Sequence, residues 1–212
     1  MSKINYLWLK DNFNDNSVIF DIGCADIGGD SRVFKQLFSN SQVYSFECSN
    51  HWKEHNETLA SELGINYFHM AMADHNNGVS FYASDTNNEE QWPWSGSIYQ
   101  PGEYLDTIGL KFNEPYTVPS ITLNEFCTKY DVIPDFIHID AQGAEYSIFK
   151  DMKIRPKAIW AEISEFHLYD TNVTYDDFNN MMLEYGYEQK YVDNHDSLYV
   201  RSNLNFTEYS AK

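Results

Sequence analysis

Apolar runs of strand length alternate with stretches of helical periodicity along most of this chain, and no other feature restricts the fold as tightly. Residues 17–22 read as a buried strand that runs into Gly23, and 31–38 set Val33, Phe34, Leu37 and Phe38 at helical spacing. A strand at 42–47 and a helix at 51–63, closed by Gly64, repeat the unit. Residues 66–72 read as a third strand, and 78–82, which alternate apolar and polar, as an exposed strand near an edge.

Over 84–115 the periodicity vanishes into a stretch rich in Asn, Gly, Pro, Ser and aromatics, including Trp92-Pro93-Trp94-Ser95-Gly96-Ser97. Long irregular segments in compact domains are usually binding loops, and two tryptophans argue against plain disorder, so a lid or substrate loop is expected. Thr122 and Glu125 then have the spacing of a capping box, opening a helix to Tyr130. A strand at 135–140, a glycine turn, a helix at 145–152 and a strand at 157–163 follow. Thr174 caps a helix that stops at Gly186, and 187–192 with 197–201 pair as a hairpin. With a helical lead-in over 1–16, one domain spanning 1–212 accounts for the chain. Such alternation gives an α/β fold: a mostly parallel sheet, helices on both faces, and a C-terminal antiparallel hairpin at one edge.

Composition removes several functions. There are 14 Lys+Arg against 32 Asp+Glu, a net charge of -18, and no two basic residues are adjacent. Duplex nucleic acid and anionic membranes are bound by clustered cations, so neither is an expected partner. Three scattered cysteines, Cys24, Cys48 and Cys127, give no disulfide framework or zinc spacing. No secretory signal and no span-length apolar run is visible, so a cytoplasmic location is expected. Asn56-Glu57-Thr58 then reads as a chance match to a glycosylation sequon.

In open parallel sheets, ligands lie at the carboxyl ends of strands, which directs attention to the strand ends. The first runs Asp21-Ile22-Gly23-Cys24-Ala25-Asp26-Ile27-Gly28-Gly29-Asp30. Its glycines allow a sharp turn and close approach of a ligand, while three aspartates disfavour a pyrophosphate and suit an ammonium or sulfonium group. Glu47 ends the second strand, where a carboxylate can accept both hydrogen bonds of a ribose diol. Asp140 ends the central strand, and Glu162 and His167 lie at or just beyond the next strand end. Those three are the candidate general bases, with His167 the side chain that titrates nearest neutrality. Trp92 and Trp94 would stack on a sugar or pin the loop to the body. His69 and His138 fall inside strands and read as core or supporting groups. A divalent metal on Asp140, Glu162 and a lid carboxylate would suit oxygen ligands, but no ligand spacing marks one and none is expected.

The segment Ile139-Asp140-Ala141-Gln142-Gly143-Ala144-Glu145 resembles the hallmark of the FkbM family of S-adenosylmethionine-dependent methyltransferases. The resemblance extends to Asp21-Ile22-Gly23, to Tyr44-Ser45-Phe46-Glu47, to Ala71-Met72-Ala73-Asp74, to Ser95-Gly96-Ser97 and to Pro119–Leu123. The first loop carries one residue more than the family pattern, with Asp26 standing for its asparagine, and His138 stands where a lysine is common. The resemblance implies a Rossmann-like class I methyltransferase fold with S-adenosylmethionine as cofactor and S-adenosylhomocysteine as product. It implies Gly23, Cys24, Ala25 and Asp26 around the methionine moiety and Glu47 on the ribose. Cys48, Met72, Ala73 and Asp74 would frame the adenine, and Asp140 would sit near the ammonium and the methyl. Ser95 and Ser97 join the tryptophans as the substrate loop. O-methylation of a hydroxyl on a carbohydrate or other polar small molecule is the expected reaction. A cofactor-binding scaffold without activity is the alternative. A nicotinamide-dependent oxidoreductase would need a phosphate-friendly glycine loop, which the three aspartates contradict.

Overall fold

The computed structural model describes residues 4–86, 92–107, 109–163, 168–193 and 196–210. Helix α1 (Tyr6–Asn12) starts where the Asn5 side chain caps the Leu7 and Trp8 N–H groups. Two strand–helix units follow: β1 (Val18–Ile22), α2 (Asp30–Leu37), β2 (Gln42–Phe46) and α3 (Lys53–Leu63). Gly64 closes α3 at φ 67°, a left-handed turn that glycine adopts without steric cost. Next come β3 (Asn66–Phe68), β4 (Ala71–Met72), β5 (Val79–Phe81), β6 (Ser84–Thr86), α4 (Glu103–Thr107), β7 (Leu110–Phe112), β8 (Tyr116–Val118) and β9 (Ser120–Ile121). The last part holds α5 (Leu123–Tyr130), β10 (Phe136–Ile139), α6 (Glu145–Phe149), β11 (Ala158–Glu162), α7 (Tyr175–Glu184), β12 (Tyr187–Val192) and β13 (Asp196–Arg201).

Seven strands form the central sheet in the order β12-β13-β11-β10-β1-β2-β3. Strands β3, β2, β1, β10 and β11 are parallel, and β13 runs antiparallel to both β11 and β12. The expected α/β fold with an antiparallel C-terminal hairpin is the one observed, and the chain reverses its order of strand addition between β1 and β10. Alternate residues of each strand feed two cores. Phe20, Ile22, Ile137, Ile139 and Ile159 pack under Phe126 of α5, Phe149 of α6 and Phe178 of α7. Ile19, Val43, Phe136 and Trp160 pack under Trp8 of α1, Phe34 of α2 and Ala60 of α3. A sheet covered on both faces needs strands that are apolar on both, and β10 is buried at all four positions.

Four expectations change. The strand at 66–72 is broken at His69 and Met70: β3 stays in the central sheet while β4 pairs with β9 in a separate ribbon. His69 therefore lies between strands and bonds Asn50 and Tyr67. The edge strand at 78–82 is β5, which pairs with β8 in another two-stranded ribbon rather than with the main sheet. The segment 84–115 carries structure of its own, since β6 and β7 pair antiparallel and α4 lies between them. The capping box at Thr122 is only half formed. Its hydroxyl accepts from Glu125 N–H, but Asn76 takes the reciprocal place: its Oδ1 accepts from Thr122 N–H and its amide bonds the Glu125 carboxylate. A complete box occurs at Thr174, with Asp177 as the returning carboxylate.

Candidate active site

The carboxyl ends of β1 and β10 are drawn together by backbone. Asp140 N–H donates to Ile22 O, and Gly23 and Cys24 N–H both donate to Phe46 O of β2. Gly23 sits at φ 77°, and a Cβ there would fall 1.9 Å from Asp140 O, so only glycine permits this approach. Around the junction opens a cavity of about 640 Å³, within the range of small-molecule sites.

The first loop is held from outside. Ala25, at φ 45°, donates its N–H to Glu47 Oε2, and Asn56 of α3 bonds both Ala25 O (2.6 Å) and Ile27 N–H (3.1 Å). Asn56 is completely buried, so the sequon residue is a structural clamp. Asp26 turns to Gly28 N–H and to His55 at the cavity mouth. Glu47 Oε1 accepts from Ser49 N–H at 2.6 Å; burial raises its pKa despite the backbone donors of Ser49, Ala25 and Cys48.

Asp21 lines the wall but is occupied by its neighbours. One oxygen lies 2.7 Å from His138 Nδ1, and the other accepts from Ser31 Oγ, which also bonds Ser45. Burial alone would push His138 down, yet the Asp21 carboxylate, with Asp30 and Asp140 beyond, raises it to about 9. The Asp21 carboxylate thus favours the charged form of His138, which lies within β10 and on the cavity wall.

Asp140 reaches the cavity with Oδ1 accepting from Gln142 Nε2 at 2.6 Å. Burial, then Glu162 and Glu145, raise its pKa well above that of an ordinary aspartate, while His138 and Gln142 pull it back. Burial likewise lifts Glu145 to about 7, although its carboxylate accepts from Ala141 and Gly143 N–H. Among the described residues no group of three His, Cys, Asp or Glu side chains is placed to hold a metal ion. Cys24 and Cys48 line the wall with pKa values raised well above the usual thiol range, by burial first and then by nearby carboxylates, which favours the thiol form.

The cavity gathers most of the expected set: Asp21, Gly23 to Asp26, Glu47, Cys48, Met72, Asp140, Glu162, and from the loop Trp92, Trp94, Ser95 and Ser97. Ala73 and Asp74 lie off the wall. Ala73 is buried and bonds Ile121 O, and Asp74 is tied to Lys150 and His75. His167 lies outside the described residues. Trp92 and Trp94 remain 49% and 45% exposed. Trp94 packs on Trp52, whose Nε1 reaches Pro93 O, while Ser84 Oγ donates to Trp92 O and accepts from Ser95 N–H. The loop is therefore pinned to the body and still presents indole surface to the cavity. Asn56, Ser84 and Tyr169 are contributors that sequence reasoning missed, only the sequon having drawn attention to Asn56, and Gln142 stood within the quoted hallmark without a role of its own.

The sequence pattern of the family described as the methyltransferase FkbM domain matches residues 21–188. No curated protein matches the chain in sequence. Among solved structures, it is similar to a methyltransferase FkbM from Methylobacillus flagellatus KT, with TM-score 0.54 and 15% identity over 89% of this chain. The alignment covers 44% of that protein, so this chain spans under half its length. A precorrin-6y C5,15-methyltransferase from Geobacter metallireducens GS-15 aligns with TM-score 0.49 and 11% identity, over 93% of this chain and 86% of that one. A sheet reversed at β1/β10, glycine-tight strand ends and a match over 21–188 agree: this chain belongs to the FkbM methyltransferase family.

Proposed function

We propose that the protein is an S-adenosylmethionine-dependent O-methyltransferase acting on a hydroxyl of a carbohydrate or similar polar, unphosphorylated small molecule. The observation that carries this reading is the cavity wall. Asp21, Asp26, Asp30, Glu47, Asp140 and Glu162 line it against one imidazole, His138, and no Lys or Arg is found among its described lining residues. Such a wall fits a cofactor bearing sulfonium and ammonium charge and repels a nucleotide pyrophosphate or a sugar phosphate. Glu47, one residue past the end of β2, would bind the ribose, and the backbone at Gly23–Ala25 would receive the methionine end. When bound, the cofactor supplies an electrophilic methyl group on sulfur.

The remaining work falls to the chain itself. Asp140 is the base: with its pKa raised by burial and by Glu162, it accepts a hydroxyl proton more readily than an ordinary aspartate does. Glu162 and the exposed indoles of Trp92 and Trp94 would hold the acceptor, since sugar faces stack on aromatic rings and hydroxyls donate to carboxylates. The pinned loop limits the orientations in which the acceptor meets the base.

Thermal unfolding tests the cofactor class. At about 100 times its Kd a ligand adds about 2.7 kcal/mol, which raises Tm by about 5–10 °C for a domain of this size. The shift is expected with S-adenosylmethionine and S-adenosylhomocysteine, and not with NAD; Glu47→Gln should lose most of it. A shift with NAD alone, or with none of the three, overturns the reading.

A further inference from the structure

Two residues outside the expected set meet behind Asp140. Gln142 sits at φ 50°, a strained conformation for a side-chain-bearing residue. Its Nε2 donates to Asp140 Oδ1 at 2.6 Å, its Oε1 accepts from the Tyr169 hydroxyl at 2.7 Å, and its backbone oxygen accepts from Ser97 Oγ at 2.7 Å. The single Tyr169 hydroxyl proton is shared between that Oε1 and the backbone oxygen of Ser95, 2.8 Å away. Tyr169 itself is held firmly. It is buried, it pairs with Pro101, and its ring closes over Gly143, where a Cβ would meet it at 3.2 Å. Gly102 N–H donates to Leu168 O and Asp170 N–H to Gln100 O, so the chain on both sides of Tyr169 is stitched to the loop segment.

A primary amide has one donor end and one acceptor end. With a hydroxyl proton held at Oε1, the end that faces Asp140 is the N–H end. We propose that Tyr169 is a positioning residue: through Gln142 it keeps an N–H donor on Asp140, and through Ser95 it joins that arrangement to the docking of the substrate loop. The inference rests on Asp140 being the proton acceptor of the proposed reaction, while the contacts themselves involve only this chain. Every group facing Asp140 enters the balance. Burial, Glu162 from β11 and Glu145 from α6 favour its protonated form; His138 from its own strand and the Gln142 amide favour the carboxylate. The amide is the one of these whose orientation depends on a hydroxyl from a different loop. If it turns, the balance moves further toward the protonated form of Asp140.

Carboxyl-carbon NMR of protein labelled at aspartate tests this without an acceptor, with Asp140→Asn identifying the resonance. Gln142→Met should raise the Asp140 midpoint by about one pH unit, the tenfold change that loss of one hydrogen bond to a charged group brings. Tyr169→Phe should move it in the same direction by less. Amide exchange across 92–98 should speed up in Tyr169→Phe and not in Gln142→Met, which keeps the hydroxyl on Ser95. A midpoint that stays put in either variant overturns the proposal, whatever happens to Tm, because a packing role alone would leave it unmoved. If Tyr169→Phe does not fold, Gln142→Met decides. Calorimetric titration with S-adenosylhomocysteine reports separately on the cofactor reading: midpoints that move in a protein that fails to bind it would sink that reading and keep Tyr169 as the positioning residue.

Discussion

At the scale of single residues, the site is a set of charges kept under tension by burial. His138 illustrates it. Its folded pKa of about 9 exceeds the ordinary value near 6.5, so the folded state binds an extra proton between those values. The stability it contributes is full below about pH 6.5 and disappears as pH rises through 9. Glu145, raised to about 7, has the same sign and acts between its ordinary value and that point. Urea midpoints at pH 6, 7.5 and 9 should therefore decline, the His138 part amounting to about 1–3 kcal/mol, and His138→Gln should flatten the upper half of the curve. Much of the residue scale was legible in the sequence, because acidic residues and glycines at strand ends announce their chemistry. Asp21, Glu47 and Asp140 reach the cavity for that reason. Gln142, Tyr169 and Asn56 were not legible. They are neutral, and each acts on partners 27 to 74 positions away or on a neighbour whose orientation only folding determines.

At the scale of elements, periodicity reported what it could resolve. Strands and helices buried on one stripe or on both faces stood out, which covers β1, β2, β10, β11 and the helices between them. The short elements β6, β7 and α4, of three to five residues, lack a continuous apolar run to mark them and vanished into the irregular stretch. The break after β3 was hidden because Met70 and Ala71 continue the apolar run. The half-formed cap on α5 was hidden because its competitor, Asn76, comes from a distant turn. Helix α3 does more than cover the sheet, since Asn56 holds the first loop in shape. Asn56→Ala leaves two backbone groups without partners and should cost about 2–3 kcal/mol. It should also weaken S-adenosylhomocysteine binding at least tenfold by calorimetry. Thr174→Ala, which removes the capping box of α7, should cost about 1 kcal/mol and leave that affinity unchanged. Equal losses of affinity in the two would mean that the loop is held by something other than α3.

At the scale of the whole molecule, the excess of acid is general, with a net charge of -18, and the cavity concentrates it where a positively charged ligand would bind. Among the described residues, no helix is long and apolar enough to cross a membrane. The sheet order has one more consequence. Strand β13 is made last but lies inside the sheet, wedged between β11 and β12, and five of its six residues are buried. Until it arrives, β11 is an open edge of apolar backbone, the surface most prone to pair with another chain. A chain stopped at Asp193 should accordingly collect in the insoluble fraction, and a soluble, cooperatively folding product of that length would show that β11 is shielded some other way. On a ribosome adding 5–20 residues per second, the 34 positions from Glu162 to Asp196 take roughly 2–7 s. During that interval the β11 edge has no β13 to pair with, and an unpaired apolar edge is open to strands of other chains.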